Sequence, residues 1–287
     1  MTILDQQVDI DRYTEDGYIV LRDALSRSEV MRLCAEAATI CRGERGSVAG
    51  IEPAPGEESD DAAMRRYVAI NFPHKASPLI QEAMRHTVVV DALTRVIGPN
   101  VKAMQSMLFM KAEGKLGQAW HQDEHFIPTR DRSLTGAWIA LDDATVDNGC
   151  LWVLPGSHQP GVLYPDREHD DPRFDCAIEA FDFPHHDDDA VPVEIEAGSV
   201  LLFNGYLLHR SLPNTQAGSF RRALVNHYMS AESLLPWRGP PPDGVHIGKF
   251  DHRDIILVAG RDPYAYKGSP DIVQPYLRKD RDGGCDR

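Results

Sequence analysis

The stretch Asn148-Gly-Cys-Leu-Trp-Val-Leu-Pro-Gly-Ser-His158 reads as a tight turn, a short apolar strand and a second turn. The same alternation surrounds it in three further runs: Gly136-Ala-Trp-Ile-Ala-Leu141, Val200-Leu-Leu-Phe203 and Ala223-Leu-Val-Asn-His-Tyr-Met229. Several short strands separated by turns favour a β-sandwich or barrel over a parallel sheet. We therefore predict a mainly β core, in which His158 serves packing rather than metal binding.

Helical patterns precede these strands. A strand is predicted at Gly17-Tyr-Ile-Val-Leu-Arg22, and apolar residues then recur every three or four positions over residues 30–41, which predicts a helix. A second helix is predicted over residues 77–96, followed by a buried strand over residues 101–110. The expected fold is therefore mainly β with flanking helices.

Two polar segments and the C-terminal segment are predicted to lie outside the core. Residues 45–61 are rich in Gly, Pro, Ser, Glu and Asp, which predicts a mobile loop. Residues 160–193 predict an insertion over one end of the barrel, in which residues 185–189 form a solvated loop rather than a second metal site. We expect one domain over residues 1–287, with its core over 10–231 and a C-terminal segment, 232–287, wrapping the surface.

Composition excludes several classes of partner. The 287 residues carry 30 Lys and Arg against 44 Asp and Glu, a formal net charge of −14, so neither nucleic acid nor an anionic membrane is an expected partner. The sequence contains no long apolar run and no signal-peptide pattern, which predicts a soluble cytoplasmic protein. Five cysteines without CxxC spacing predict neither a disulfide framework nor a thiolate zinc site, as in a reducing compartment.

The candidate chemistry begins at Trp120-His121-Gln122-Asp123, which follows a predicted strand. His121 and Asp123 are two positions apart, so both side chains leave the same face if the strand geometry continues. His209, at the end of another apolar strand, is the third candidate. Two imidazoles and one carboxylate on one side of a metal leave three positions open, as in non-haem Fe(II) oxygenases. This pattern is also compatible with structural histidines near an acid.

A basic residue follows the third candidate ligand. Arg221 lies twelve positions after His209, beyond a turn and at the start of the next strand. A buried guanidinium there needs an anionic partner, which a dicarboxylate bound to the metal would supply. Arg221 and Arg222 are adjacent on this strand, so one should point inward and the other outward. Two exposed arginines at a surface turn are the alternative.

Taken together, these residues resemble the phytanoyl-CoA dioxygenase family of Fe(II)- and 2-oxoglutarate-dependent oxygenases. The resemblance covers roughly residues 10–231 and rests on the segments 105–111, 120–123, 137–145, 148–158, 208–211 and 220–224. It implies a double-stranded β-helix core (a jelly roll, cupin-like) with helices packed outside. It further implies that His121, Asp123 and His209 bind Fe(II), and that the residues holding 2-oxoglutarate are Arg221, Gln105 and Ser211.

The chain departs from many relatives in the resembling family at two places. Arg210 stands where they have Gly, and their spacing from the histidine to the arginine is eleven rather than twelve, which leaves Arg222 as a rival to Arg221. We prefer Arg221 because Phe220-Arg-Arg-Ala223 aligns on it. Relatives that halogenate lack the carboxylate that Asp123 supplies, so the resemblance implies hydroxylation.

The implied activity consumes 2-oxoglutarate and O₂ at Fe(II) and hydroxylates an aliphatic C–H bond of a small molecule, releasing succinate and CO₂. Desaturation, cyclisation or epimerisation at the same iron, a cupin-like oxygenase without co-substrate, and a non-catalytic jelly-roll binding protein are the alternatives. No dense basic patch is available for the phosphates of coenzyme A, which favours a free metabolite. The residues expected around the barrel mouth to contact substrate are His125, Trp138, Arg66, Asn71, His74 and Lys75.

Overall fold

A computed structural model describes residues 9–52, 56, 58–233, 256–268 and 273–280. The α-helices of this part are α1 (Ile10–Asp16), α2 (Arg27–Cys41), α3 (Asp60–Arg65), α4 (Pro78–Ala83), α5 (Thr87–Val96) and α6 (Asp123–Phe126). Its strands are β1 (Tyr18–Leu21), β2 (Tyr67–Asn71), β3 (Val101–Ala112), β4 (Gln118–His121), β5 (Thr135–Ala140), β6 (Leu151–Val153), β7 (Asp166–Arg167), β8 (Glu179–Ala180), β9 (Val191–Val193), β10 (Val200–Asn204), β11 (His209–Ser211), β12 (Phe220–Ser230), β13 (Ile256–Ala259) and β14 (Tyr276–Lys279). None of the described helices is long and apolar enough to cross a bilayer.

The strands form two antiparallel sheets packed face to face. The larger sheet has the order β1-β10-β5-β12-β3-β2-β14, with β13 also paired to β3, and the smaller sheet has the order β4-β11-β6-β9. Strands β7 and β8 pair separately within the insertion. This jelly-roll arrangement, with helices packed on the outside, confirms the predicted fold class.

Strand alternation gives the larger sheet two different buried faces. On β12, Leu224 and Tyr228 face the helices and pack in one apolar cluster with Leu33 of α2 and Leu93 of α5. Val225 and His227, at the alternate positions, face the smaller sheet, and Val225 packs in a second cluster with partners from both sheets. Because successive side chains of a strand point to opposite faces, alternate residues of β3, β5, β10 and β12 line the space between the sheets.

Leu224 provides a test of this packing. Its side chain is fully buried in the cluster between the larger sheet and the helices. We expect Leu224→Ala to lower the free energy of unfolding by about 2–5 kcal/mol, because it removes buried methyl groups and leaves a cavity. Urea denaturation measures the change. Leu257→Ala, on a strand where Leu257 is 40% exposed, is the matched control and should cost much less; equal losses would contradict the assigned core.

The single helix predicted over residues 77–96 is wrong, because the structure has α4 and α5 with a break between them. The Met84 carbonyl, at the end of α4, accepts a hydrogen bond from the Tyr228 hydroxyl at 3.0 Å. The chain after the break contains four consecutive β-branched residues, at positions 87–90, which lower helix propensity. Packing against β12 therefore ends the first helix where the apolar periodicity continues.

The polar segments are also more structured than expected. Ala49 pairs with Tyr276 and Asp60 begins α3, so parts of residues 45–61 belong to the fold instead of to a mobile loop. Strands β13 and β14 extend the larger sheet, whereas the sequence predicted that residues 232–287 wrap the surface; the rest of that segment lies outside the described residues. Cys34, Cys41 and Cys150 are free, in keeping with the prediction of no disulfide framework, although Cys176 is disulfide-bonded, which the cysteine spacing did not predict.

Candidate metal centre

The three predicted ligands converge between the sheets. His121 ends β4 and His209 begins β11, and the two strands pair so that these histidines lie directly opposite each other. The Nε2 atoms of His121 and His209 lie 3.8 and 3.7 Å from Oδ1 of Asp123. The ligand atoms of the three side chains all lie within 4.8 Å of one another, which suits a single metal ion. Asp123 does not continue the strand, as the spacing argument assumed, but begins α6.

Backbone contacts orient both imidazoles. Nδ1 of His121 donates to the carbonyl of Ala119 at 2.8 Å, and Nδ1 of His209 donates to the carbonyl of Leu207 at 3.0 Å. Nε2 of each ring is therefore left without a proton and faces Asp123, the tautomer that a metal requires. Burial, reinforced by the neighbouring His209, lowers the pKa of His121 to about 4, so this imidazole is neutral at physiological pH.

Close packing behind the centre holds His209 in place. The ring of Phe203 lies 4.8 Å from the ring of His209, centroid to centroid. Phe203 fits there because Gly136, on the neighbouring strand β5, has no side chain; a Cβ atom would lie 2.3 Å from the Phe203 ring. Gly136 thus leaves room for Phe203, whose ring packs against the predicted ligand His209.

A cavity of about 740 Å³ opens beside the three side chains. The predicted site residues in its wall are Gln105, Asn71, Trp138, Ser211 and Arg221. Apolar side chains make up much of the remaining wall, among them Met107, Phe109, Phe126, Leu151, Phe203 and Val225. A metal in this centre would therefore face a mostly apolar chamber with a few polar groups, which is typical of small-molecule sites.

Arg221, rather than Arg222, points into the cavity. Arg221 is 3% exposed, its guanidinium lies over the ring of Trp138 at 5.3 Å, and its Nε has no hydrogen-bond partner among the described residues. Burial lowers the pKa of Arg221 to about 10. Arg222 points to the opposite face of β12, where it pairs with Asp142 at 2.6 Å. A buried cation that has no anionic partner in the described part of the chain fits the carboxylate of a bound acid.

Lys111 joins Arg221 at the same end of the cavity. The two residues are register partners on β3 and β12, and Nζ of Lys111 donates to Oγ of Ser211 at 2.8 Å and to the carbonyl of Leu212 at 2.7 Å. Burial, and then the charge of Arg221, lowers the pKa of Lys111 well below its usual range. Within the described chain neither cation forms an ion pair, so this end of the cavity is suited to an anion.

Sequence reasoning missed Lys111 and His227, although both lie on strands it had identified. Lys111 follows Gln105 at an even spacing on β3, and His227 follows Arg221 at an even spacing on β12, so each shares the cavity face of the predicted residue. Strand alternation was therefore the signal that could have found them. Lys111 is also the last residue of the segment 105–111, on which the family resemblance partly rests.

Four residues predicted to contact substrate are absent from the cavity wall. His125 is 39% exposed and pairs with Asp166, because it lies on the outer side of α6. Arg66 pairs with Glu58 at 2.6 Å, and Nδ1 of His74 is hydrogen-bonded to a serine hydroxyl, so both are engaged elsewhere in the fold. Lys75 follows His74 and also lies outside the wall. Of the six residues predicted to contact substrate, Asn71 and Trp138 lie in the cavity wall.

His158 and the run at residues 185–189, which the sequence analysis had weighed as possible metal sites, are separate from this centre. Nε2 of His158 lies 3.1 Å from the carbonyl of Thr14, and its ring occupies the space beside Gly17. His186 begins a short 3-10 helix over Asp187–Asp189 at the surface. Among the described residues, the group at His121 is the single set of three side chains with metal-binding geometry.

Gln122 fastens the insertion to the centre. Its Nε2 donates to the carbonyls of Val162 and Tyr206, at 3.0 and 2.7 Å, and its Oε1 accepts from the backbone N–H of Tyr164 at 2.9 Å. Both of its amide N–H donors and one lone pair of its amide oxygen are thus used within the fold. The residue between two predicted ligands therefore holds the first part of residues 160–193 against them.

Arg210, where many relatives have Gly, makes a second connection to the insertion. Its guanidinium lies 4.5 Å from the centroid of the Trp120 ring and pairs with Asp187 at 2.8 Å. The same carboxylate accepts a hydrogen bond from Nε1 of Trp120 at 3.0 Å. Trp120 precedes His121 and Arg210 follows His209, so the insertion is attached to both strands that carry the histidines.

Comparison with known proteins agrees with this geometry. Residues 13–223 match the family model described as phytanoyl-CoA dioxygenase (PhyH). The chain belongs to the phytanoyl-CoA dioxygenase family. Over 287 aligned residues it is 30% identical to the peroxisomal phytanoyl-CoA dioxygenase of Mus musculus, with 94% of this chain and 80% of that protein covered.

Other members and neighbours match in different ways. Phytanoyl-CoA dioxygenase 1 of Oryza sativa subsp. japonica is 38% identical over 131 residues, and the match spans 45% of this chain and 45% of that relative, less than half its length. A solved structure of the epimerase SnoN, described with Fe³⁺, alpha ketoglutarate and nogalamycin RO, superposes with a TM-score of 0.60 at 19% identity and covers 93% of this chain and 96% of SnoN. That likeness shows that SnoN and this chain share the jelly-roll fold.

Proposed function

We propose that this protein is an Fe(II)- and 2-oxoglutarate-dependent dioxygenase that hydroxylates an aliphatic C–H bond of a small metabolite. The observation that carries the proposal is the combination, in one cavity, of the His121, Asp123 and His209 donor set with the buried cation of Arg221, which has no anionic partner among the described residues. Two histidines and one carboxylate leave positions open for a chelating co-substrate and O₂. A dicarboxylate that chelates the metal would bring its far carboxylate to Arg221.

The chain's own residues bind and orient the reactants. His121, Asp123 and His209 would hold Fe(II), and Arg221 and Ser211 would bind the far carboxylate of 2-oxoglutarate, with Gln105 in the same wall. When bound, iron with 2-oxoglutarate and O₂ supplies an oxidation that converts C–H to C–OH and releases succinate and CO₂. The apolar wall excludes water from the centre, and no side chain has to act as a general base.

The proposed substrate is a free, largely apolar molecule. Away from Arg221 and Lys111, two further cations of the cavity wall are paired, Arg278 with Asp175 at 3.1 Å and Lys115 with Asp280 at 3.8 Å. The described part of the chain therefore offers no cluster of unpaired cations at that side for the phosphates of a coenzyme A ester. Apolar residues line most of the space near the metal, which favours aliphatic or aromatic substrate surface.

Other outcomes at the same iron remain alternatives within the proposal. SnoN, which shares the fold, is described as an epimerase. Mass spectrometry of the product separates the possibilities, because hydroxylation adds one oxygen atom, desaturation or cyclisation removes two hydrogen atoms, and epimerisation leaves the mass unchanged. A product heavier by one oxygen is the expected result.

An anaerobic titration tests the co-substrate directly. The Fe(II)-loaded protein is titrated with 2-oxoglutarate, and the weak visible charge-transfer band of the chelate is recorded; O₂ is then admitted and succinate is measured. We expect a saturable band, followed by succinate formation that increases with an accepted substrate. A folded, iron-loaded protein that forms no band would exclude the proposed co-substrate and favour the cupin-like oxygenase or the binding protein.

A further inference from the structure

His227 contacts the predicted metal ligand Asp123 from the opposite wall of the centre. It lies on β12, on the same face as Arg221 and Val225, and its side chain is buried. Its Nε2 lies 2.9 Å from Oδ2 of Asp123. A carboxylate oxygen can only accept a hydrogen bond, so Nε2 of His227 carries the proton and donates.

This contact makes the two oxygens of Asp123 different from each other. Oδ1 lies 3.8 and 3.7 Å from the Nε2 atoms of the two predicted histidine ligands, within the group of converging ligand atoms. Oδ2 is occupied by the N–H of His227. One oxygen of the carboxylate is thus directed at the metal position and the other is directed away from it.

We propose that His227 is a positioning residue that keeps Asp123 a one-oxygen ligand of the metal. The inference rests on the proposed function, because its consequence concerns the positions left on iron. If both oxygens of Asp123 bound the metal, one of three open positions would be lost, and 2-oxoglutarate with O₂ needs all three. The hydrogen bond to His227 holds Oδ2 away and preserves the third position.

The remainder of the imidazole contributes little else. Nδ1 of His227 is buried and has no hydrogen-bond partner among the described residues. The Nε2–H of His227 is therefore the polar group through which this side chain acts. A glutamine side chain carries an N–H donor at a comparable reach, whereas a phenylalanine fills a similar volume without any donor. These two replacements separate the hydrogen bond from the packing.

The test compares His227→Phe with His227→Gln in the full chain, using Co(II) as the metal probe. We expect His227→Phe to raise the dissociation constant for Co(II) by about 10–100-fold, as for partners that orient a ligand. The visible Co(II) absorption, which depends on coordination number, should change as well. His227→Gln should restore both values to within a few-fold of the parent. Circular dichroism confirms folding, and His227→Leu replaces the phenylalanine variant if that variant does not fold.

The outcomes distinguish this inference from the proposed function. Parent-like Co(II) affinity and absorption in His227→Phe, or failure of His227→Gln to restore them, would overturn the positioning role. The Co(II) measurement needs no 2-oxoglutarate, so it remains decisive if the parent fails to form the co-substrate chelate. In the iron-loaded form, His227→Phe should also need more 2-oxoglutarate than the parent to reach half of its chelate band. Without the hydrogen bond from His227, Oδ2 of Asp123 would compete for the third open position on the metal.

Discussion

His209→Ala is expected to lower the affinity for Fe(II) by at least about 100-fold, since loss of even an outer partner of a ligand costs about 10–100-fold. His209 supplies one of three donor atoms that lie within 4.8 Å of one another, and its removal leaves a single imidazole and a carboxylate. Succinate formation from 2-oxoglutarate should fall to background at ordinary iron concentrations. Equilibrium dialysis against Fe(II) under anaerobic conditions measures the affinity.

His125→Ala is the matched control for this experiment. His125 lies four positions after His121 but is exposed and paired with Asp166 outside the cavity wall. Its replacement should leave the iron affinity unchanged. If His209→Ala binds iron as tightly as the parent while remaining folded, the metal lies elsewhere and the proposed centre is wrong. Removal of iron from the parent with a chelator should reproduce the loss of turnover reversibly.

The second large effect concerns Arg221. In Arg221→Met, the 2-oxoglutarate concentration for half-maximal chelate formation should rise by at least about 30-fold, because loss of one partner from a buried charge pair costs about 2–5 kcal/mol. Methionine keeps much of the apolar length of arginine and its contact with Trp138, so the change isolates the charge. The affinity for Fe(II) alone should stay near the parent value, since Arg221 is not among the converging donors.

Arg222→Met provides an adjacent control on the same strand. Arg222 points to the helix-covered face of the sheet and pairs with Asp142, so its replacement should affect stability rather than 2-oxoglutarate binding. A larger rise in the 2-oxoglutarate requirement for Arg222→Met than for Arg221→Met would reverse the assignment. Titration of the charge-transfer band in both variants decides between the two arginines, which the spacing of twelve residues left open.

Local patterns in the chain predicted the elements but not every boundary. The runs that begin at Gly136, Val200 and Ala223 became β5, β10 and β12, because a short apolar run between turn residues has few other ways to bury itself. The single helix predicted over residues 77–96 was wrong because a contact with a distant part of the chain lies at the break. Its periodicity is continuous, yet the contact that ends α4 comes from Tyr228, which is 144 positions away in sequence.

The residues predicted to contact substrate show this limit of sequence-based prediction more strongly. Arg66 and His125 were predicted to lie around the barrel mouth, but a residue's place along the chain does not determine which side of an element faces a cavity. Arg66 is held by Glu58 and His125 by Asp166, both outside the wall. Trp138 and Asn71 lie in the cavity wall because each is on a strand whose alternating face opens between the sheets, and their contact with substrate stays a prediction.

The sequence by itself predicted the class of fold from its short apolar runs, and its ordered motifs, through their resemblance to a family, indicated the three converging side chains and the basic residue beyond them. Only the tertiary structure decided that Arg221 faces the cavity, that Lys111 shares its end, and that His227 holds one oxygen of Asp123. These relations join strands far apart in the chain. Their distances follow from sheet register and packing, which short patterns do not encode.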